Sequence, residues 1–383
     1  MKNNILKIFR HYTKKKYKSL RRSVFLSIYG KIIVSKRPSS TKFKQLKSDI
    51  YKDFKIYKYK FYEMDNGRVF TDNIENVSII SGNKLLDRFS YQQIKGKLVN
   101  SRKNYVIKNG TPKFIFNIKG NLAILSQGAS GYNNYAHCLF DIVPKIKLIS
   151  LGLDLKKIDF YYYSNLNKYQ KQIFNYLGIK KYMIIDSNKF RHVQADKILG
   201  VTHPNYTRGT ISYAQSLMPK WIVNYLRYKF LKIQKSQPGF ERIYIDRSDS
   251  NYNHCKIINN NEIKKYLRSK GFKIVKLSRL SFKKQIGIFK SAKIIIGPHG
   301  AGFANLVFCK KNTMIFEVKP KNHPNKVYER ISKINNLNYK LIKLNHIKNN
   351  NKGDMILKKE ILIKILKFDG GESGIRTHER VTP

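Results

Sequence analysis

Two stretches of this 383-residue chain hold residue types in spacings that can do chemistry. The first is "GYNNYAHCLFDIVPKIKL", residues 131–148. Asn134, His137 and Asp141 stand at i, i+3 and i+7, so a helix puts them along one face. Leu139, Val143 and Ile146 then serve packing on another side. A carboxylate beside an imidazole suits general-base work on a hydroxyl group. A buried, hydrogen-bonded His–Asp pair with no chemical role has the same spacing. No third ligand accompanies the pair, which argues against a metal site.

The second stretch is "IIIGPHGAGFANLVF", residues 294–308. An apolar strand runs into Gly297, Gly300 and Gly302, which allow close approach to the backbone. A helix starting beyond them presents free N–H groups and about half a positive charge. Such a loop can hold a diphosphate without a metal, with His299 donating to a phosphate oxygen. A tight packing turn with a surface histidine reads the same way. The spacing is neither GxGxxG nor GxxxxGK, so neither a nicotinamide fold nor a P-loop kinase is indicated. Arg247 ends the run "RIYID", where a guanidinium can grip phosphate bidentately. Glu317 lies near the end of "MIFEV", a place where a carboxylate can accept ribose hydroxyls.

These residues need elements to position them, and from about residue 241 the pattern is regular. Strand-like runs at 242–246, 273–277, 293–297, 314–318 and 339–344 alternate with helical patterns at 261–271, 281–292, 303–311 and 325–336. That alternation predicts βαβ units and a parallel doubly wound sheet. Ligands of such sheets sit beyond the carboxyl ends of the strands, where Arg247, His299 and Glu317 fall. In the first half, strand-like runs at 76–80, 114–118, 122–126, 159–163 and 182–186 flank helical stretches near 134–151 and 167–177, which fits a second α/β domain. Residues 221–240 read as a helix leading into a Pro-Gly linker, and 355–368 as an amphipathic helix. The expected divisions are a basic extension (1–60), an α/β domain (61–230), a second α/β domain (241–345) and a C-terminal helix (346–369). The stretch 370–383, "GGESGIRTHERVTP", abandons the Lys/Asn/Ile style of the rest and resembles read-through beyond a natural end.

Composition adds a charge problem. Lys and Arg number 77 against 23 Asp and Glu, a net +54 that alone would suggest a nucleic-acid binder. The lysines, however, are spread along the whole chain among Asn, Ile and Tyr, as codon bias of an AT-rich genome would leave them. No helix-turn-helix pattern, zinc spacing or RNP-type aromatic strand accompanies the charge. Cys138, Cys255 and Cys309 form no metal spacing and cannot all pair, which fits a reducing compartment. The basic N-terminus is too interrupted to span a bilayer and lacks a signal cleavage site. It reads either as a basic amphipathic piece on an anionic membrane surface or as a frayed tail.

With these residues laid out, the chain resembles glycosyltransferase family 61, which includes bacterial capsular-polysaccharide and lipopolysaccharide transferases. The likeness is carried by "NYAHCLFDIVPKI", "IYIDRSDSN", "GFKIVKLSRLSFKKQIGIFKSAKIIIGPHGAGFANLVF" and "IFEVKP", across roughly residues 75–345. It implies a GT-B fold of two Rossmann-like doubly wound domains facing a cleft. It also implies inverting transfer from a nucleotide-sugar donor to an oligosaccharide or lipid-linked glycan, with no obligatory metal or other cofactor. By that resemblance Arg247, His299, Gly300, Ala301, Gly302, Asn305 and Glu317 bind the nucleotide sugar. Asn134 lies on the acceptor side, and Asp141 or His137 is the catalytic base. Relatives often carry a second arginine after Arg247, where "NHCKIINNNE" offers Lys256, which lacks the bidentate fork. The expected location is cytoplasmic, at the inner face of the membrane. The other readings are a non-enzymatic polyanion binder and a degenerate fold that only binds glycans.

Overall fold

The computed structural model describes residues 2–48, 57–71, 76–94, 97–99, 101–126, 134–164, 166–205, 210–249, 254–347 and 353–367. The stretch 370–383 and residues 131–133, ahead of Asn134, lie outside them. The chain divides into two units, Met1–Ile211 and Ser212–Pro383.

The first unit begins with a helix, Lys2–Tyr29, followed by strands β1 (Ile33–Ser35), β2 (Thr41–Gln45), β3 (Lys60–Asp65), β4 (Arg68–Phe70), β5 (Ser78–Ser81) and β6 (Lys84–Leu86). A short hairpin of β7 (Gln92–Ile94) and β8 (Lys97–Val99) stands apart. Then come β9 (Phe116–Ile124), β10 (Phe160–Tyr163), β11 (Ile184–Asp186) and β12 (His192–Val201). The large sheet has the order β1-β6-β5-β4-β12-β9-β10-β11, with β3 also on β12 and β2 outside β3. Pairs from β12 through β9 and β10 to β11 are parallel, whereas β3 and β4 run antiparallel to β12. The sheet is therefore mixed, not wholly parallel as a doubly wound domain would be. Ile33–Ser35 and Thr41–Gln45 are strands of it, so part of the stretch expected as a basic extension is built into the sheet.

Two strands expected at 114–118 and 122–126 are one strand, β9. Gly120 passes through it at φ 105°, a conformation that L side chains avoid. Its N–H donates to Asp196 Oδ2 at 2.8 Å, beside the register shift between Ala195 and Lys197 on β12. The glycine between the two expected runs sits at a β-bulge. Met64, Val69, Ile79, Leu122, Tyr162, Val193 and Ile198 form the core of the sheet, each fully or almost fully buried. A buried aliphatic side chain of this size contributes roughly 1.5–3 kcal/mol.

The second unit contains five strands, β13 (Arg242–Ile245), β14 (Lys273–Val275), β15 (Ile294–Pro298), β16 (Met314–Pro320) and β17 (Asn338–Leu344). Their order is β14-β13-β15-β16-β17 and every pair is parallel. Helices Asn260–Ser269, Phe282–Ser291 and Val327–Ile334 make three crossovers. The remaining crossover is a 3-10 helix, Ala301–Phe308, where an α-helix was expected. All of Phe303–Phe308 is buried, and the segment packs against Phe282–Ser291, Val327–Ile334 and the helix Lys220–Phe230. A tighter helix suits that enclosure.

The helix Lys220–Phe230 groups with this second unit and not with the first. Phe230 packs edge-on to Phe282, and Arg227 donates to Val307 O and Cys309 O at 2.6 and 2.9 Å. At the C-terminal end the helix is Lys359–Lys367. Ahead of it, Met355 bridges to Ile257 and His346. Met355, Leu357, Leu362 and Ile365 enter the core formed by Tyr244, Ile296, Phe316 and Ile342.

Candidate active site

In the first unit the stretch from Asn134 to Gly152 is three helical pieces. Asn134 opens it as an N-cap, its Oδ1 accepting from Ala136 N (3.0 Å) and His137 N (3.3 Å). The residue expected on the acceptor side thus has a capping role. One turn, Tyr135–His137, gives way to a π-helical turn, Cys138–Ile142, and then to the helix Val143–Gly152. Pro144 accounts for the change. It has no N–H for the carbonyl of Phe140, four residues back. Asn205 Nδ2 lies 3.3 Å from that oxygen instead.

The turn leaves His137 and Asp141 facing each other, with His137 Nδ1 2.6 Å from Asp141 Oδ2. Asp141 Oδ1 accepts from Asn205 Nδ2, also at 2.6 Å. The two partners differ in access: the His137 side chain is 16% exposed and that of Asp141 only 2%. Burial pushes the Asp141 carboxyl up. His137, by charge and hydrogen bond, outweighs burial together with His203 and the Asn205 bond, so the group stays below the ordinary carboxylate value. Asp141 is therefore a carboxylate at neutral pH, and its acceptor oxygen assigns the imidazole proton to Nδ1.

Two further titratable groups pack around this pair. Lys145 is buried, its Nζ donating to Leu125 O (3.1 Å) and Ser126 O (3.3 Å) at the carboxyl end of β9. Burial pushes its pKa down to about 7, against the pull of Asp141. Burial likewise pushes His203 down to about 4, with Asp141 opposing.

In the second unit the strand order reverses direction at β13, since β14 lies on one side of it and β15 on the other. That is the topological switch point, where open α/β sheets form a crevice at the strands' carboxyl ends. Arg247 follows β13 and His299 follows β15. The Arg247 guanidinium donates to His299 O and, at 3.3 Å, to His254 O. It lies against the Gly300 Cα, where a Cβ would overlap it. Gly297 and Gly302 answer a different need, since added Cβ atoms there would press on Ile245 and Leu277. The loop is thus a packed turn at two glycines and a seat for Arg247 at the third.

His299 Nδ1 is hydrogen-bonded to Glu317 Oε1, and Tyr339 OH donates to Glu317 Oε2. Burial raises the Glu317 carboxyl, but the His299 bond and charge, with Lys319 and Tyr339, hold it below its ordinary value. The His299 ring is 5% exposed, with His323 4.2 Å and Tyr328 5.2 Å away, centroid to centroid. His254 and His323 are the more open members of this cluster. Burial lowers both to about 4, helped at His254 by Arg247 and His299 and at His323 by His299 and Lys319. The crevice holds one guanidinium and several imidazole groups able to donate, with Ala301 and Gly302 half-exposed beside them.

The family model described as Glycosyltransferase 61 matches residues 135–316. This chain carries a family 61 glycosyltransferase domain. No curated protein matches the chain. The matched segment runs from the turn that carries His137 to the residue before Glu317, and it includes Asp141, Arg247 and the 299–302 loop.

Of the residues singled out in the sequence of this glycosyltransferase, the structure brings His137 and Asp141 together under an Asn134 cap. It also joins Arg247, His299, Gly300 and Glu317. Asn305 is fully buried, its Nδ2 donating to Gln285 Oε1 (2.9 Å) and Gly302 O (3.2 Å), so it braces the loop from beneath. Lys256 is engaged through its backbone, its N–H donating to Asp354 Oδ1 at 3.1 Å. Sequence reasoning missed Asn205, Lys145, His254 and His323. Of these only His323 had a legible signal, its place just beyond the carboxyl end of β16. Among the described residues no group of three or more His, Cys, Asp or Glu side chains is arranged to hold a metal ion.

Proposed function

We propose that this glycosyltransferase moves a sugar from a nucleotide-sugar donor to an oligosaccharide or lipid-linked glycan, with inversion at the anomeric carbon. The observation that carries the reading is the donor-lined crevice at the switch point of the second unit. Arg247, His254, His299 and His323 gather there, with the Arg247 guanidinium donating to His254 O and His299 O and Glu317 holding His299 Nδ1. A nucleoside diphosphate suits such a crevice, because its oxygens accept from a guanidinium and from imidazole N–H groups. A GT-B pairing of the two units and a place in capsular or other surface polysaccharide synthesis, at the cytoplasmic face of the membrane, complete the proposal.

The chemistry follows from the dyad. His137 takes the proton of the acceptor hydroxyl on Nε2, while Asp141 holds Nδ1–H and stabilises the imidazolium that forms. The hydroxyl oxygen bonds to the anomeric carbon, whose bond to the diphosphate breaks, and the electron pair leaves with the phosphate. Arg247 and the crevice histidines meet that charge as it develops, which is the work a divalent metal does elsewhere. Asp141 is too enclosed to reach an acceptor directly, which favours His137 as the base.

The test is a thermal-shift panel of UDP- and CMP-sugars, followed by product analysis with the best donor. A ligand at about 100 times its dissociation constant stabilises by about 2.7 kcal/mol. Saturable protection by one nucleotide class, and a product of inverted anomeric configuration, are expected. Equal response to every polyanion, or retention of configuration, would sink the proposal.

A further inference from the structure

The N-terminal helix Lys2–Tyr29 is held to the first unit along one side. Phe25 is buried with its ring 5.0 Å from Phe114, Tyr29 meets His192 edge-on at 5.2 Å, and Arg21 donates to Pro112 O. A different side of the helix carries a row of large apolar residues. Tyr17, Leu20, Val24 and Ile28 are spaced three and four apart, so they share one face. They are 64%, 67%, 47% and 52% exposed. A helix that faces only water does not need such a row.

The surroundings of the row specify what can cover it. Lys14, Lys15, Lys16 and Lys18 are exposed beside it, and the chain has no Asp or Glu before Asp49. An open cavity of about 460 Å³ lies at the end of the row, lined by Ile28, Tyr29, Arg68, Asn83 and Gln194 among others. Arg68 is 6% exposed and has no carboxylate partner among the described residues. Its guanidinium donates to Gly82 O, approaches His192 Nε2 at 3.4 Å and stands 5.5 Å from the Tyr29 ring. An apolar row, flanking lysines and a guanidinium without a described carboxylate partner in an open cavity match the three layers of an anionic bilayer surface: acyl chains, surface charge and headgroup phosphate.

We propose that the face formed by Tyr17, Leu20, Val24 and Ile28 docks this enzyme on an anionic lipid bilayer, with the Arg68 cavity admitting a headgroup phosphate. The inference rests on the reading that the enzyme works at a membrane face, and names the surface that does it.

The experiment is co-sedimentation of the full chain with phosphatidylcholine vesicles, with and without phosphatidylglycerol. Wild type should partition on the anionic vesicles roughly tenfold more strongly than on the neutral ones. The triple variant Leu20→Glu/Val24→Glu/Ile28→Glu should lose about tenfold or more of that partition at an unchanged unfolding midpoint. Arg68→Gln, its fold checked in the same way, should narrow the anionic preference about threefold. Wild type that ignores anionic vesicles overturns the membrane reading itself. Wild type that binds while the triple variant binds equally well leaves that reading standing and overturns this surface. A wild-type dimer that the triple variant converts to monomer, with no vesicle binding by either, assigns the row to a second copy of the chain and also overturns the proposal.

Discussion

Asn205 lies 64 residues beyond Asp141 in the chain and donates its Nδ2 proton to Asp141 Oδ1 at 2.6 Å. The same amide group approaches the Phe140 carbonyl that Pro144 cannot serve. One side chain therefore stabilises both the π turn and the carboxylate. Asn205→Ala leaves a buried carboxylate short of a donor and a buried carbonyl without its side-chain partner, a cost of about 1–3 kcal/mol. The unfolding midpoint should fall by several degrees and kcat by about tenfold, since a loosened Asp141 misorients His137. Unchanged kcat in a folded Asn205→Ala protein would remove the residue from the catalytic support.

Asp141→Asn keeps the shape of the pair and changes its proton arrangement. The amide can donate to Nδ1, which favours the tautomer with its proton on Nε2, the atom proposed to accept one. Transfer should drop by about 10²-fold or more, chiefly in kcat, and His137→Gln should drop it as far. The double variant should be little worse than either single one, because the pair acts as a unit. Additive losses measured in single-turnover assays would show two separate roles.

How far the sequence disclosed all this varies with the physics of each element. The strands β13 to β17 were legible because each is a short apolar run bounded by a helix of ordinary length. β12 was not, because Gln194, Asp196 and Lys197 interrupt its apolar pattern where the bulge opposite Gly120 sits. The His137–Asp141 spacing was legible as a helical face, yet a regular helix gives no reason for Asn205 to be there. That reason is the missing N–H of Pro144, which becomes meaningful only when the chain returns after β12. His254 and His323 reach the crevice from loops, where no periodicity marks a side chain's direction.

Gly300 is the position where the donor site is most sensitive to a single carbon. A Cβ would overlap the Arg247 guanidinium, so Gly300→Ala has to move it off its seat. The loss should fall on donor recognition, with KM for the nucleotide sugar raised about tenfold or more and the unfolding midpoint little changed. His299→Ala also frees Glu317, and should lower transfer about 10²-fold, by analogy with loss of an oxyanion donor. Steady-state kinetics with varied donor check both. Near-normal turnover in either variant would withdraw the assignment for that residue.

Chelation tests the proposal that protein hydrogen-bond donors meet the leaving group. After exhaustive treatment with EDTA the transfer rate should stay within about twofold of the untreated enzyme, since the developing charge is met by Arg247 and the histidines. A fall of about 10²-fold or more, restored by Mg²⁺ or Mn²⁺, would show that the crevice needs a metal it does not itself supply.

Acid should weaken the fold well before its carboxylates titrate. His192 and His203 are 1% and 6% exposed, and burial pushes both to about 4 from an ordinary 6.5. Between these values the unfolded chain binds protons that the folded chain refuses, so stability rises with pH across this window and falls on acidification. Each buried histidine should remove roughly 1–2 kcal/mol between pH 6.5 and 5. Half-buried His254 and His323 act in the same direction, more weakly because water screens them. Urea midpoints measured from pH 7 to pH 4.5 should decline steadily, and a His192→Gln/His203→Gln variant should show a shallower decline than wild type, whatever its stability at pH 7. Parallel curves for the two proteins would mean that these imidazoles accept protons inside the fold.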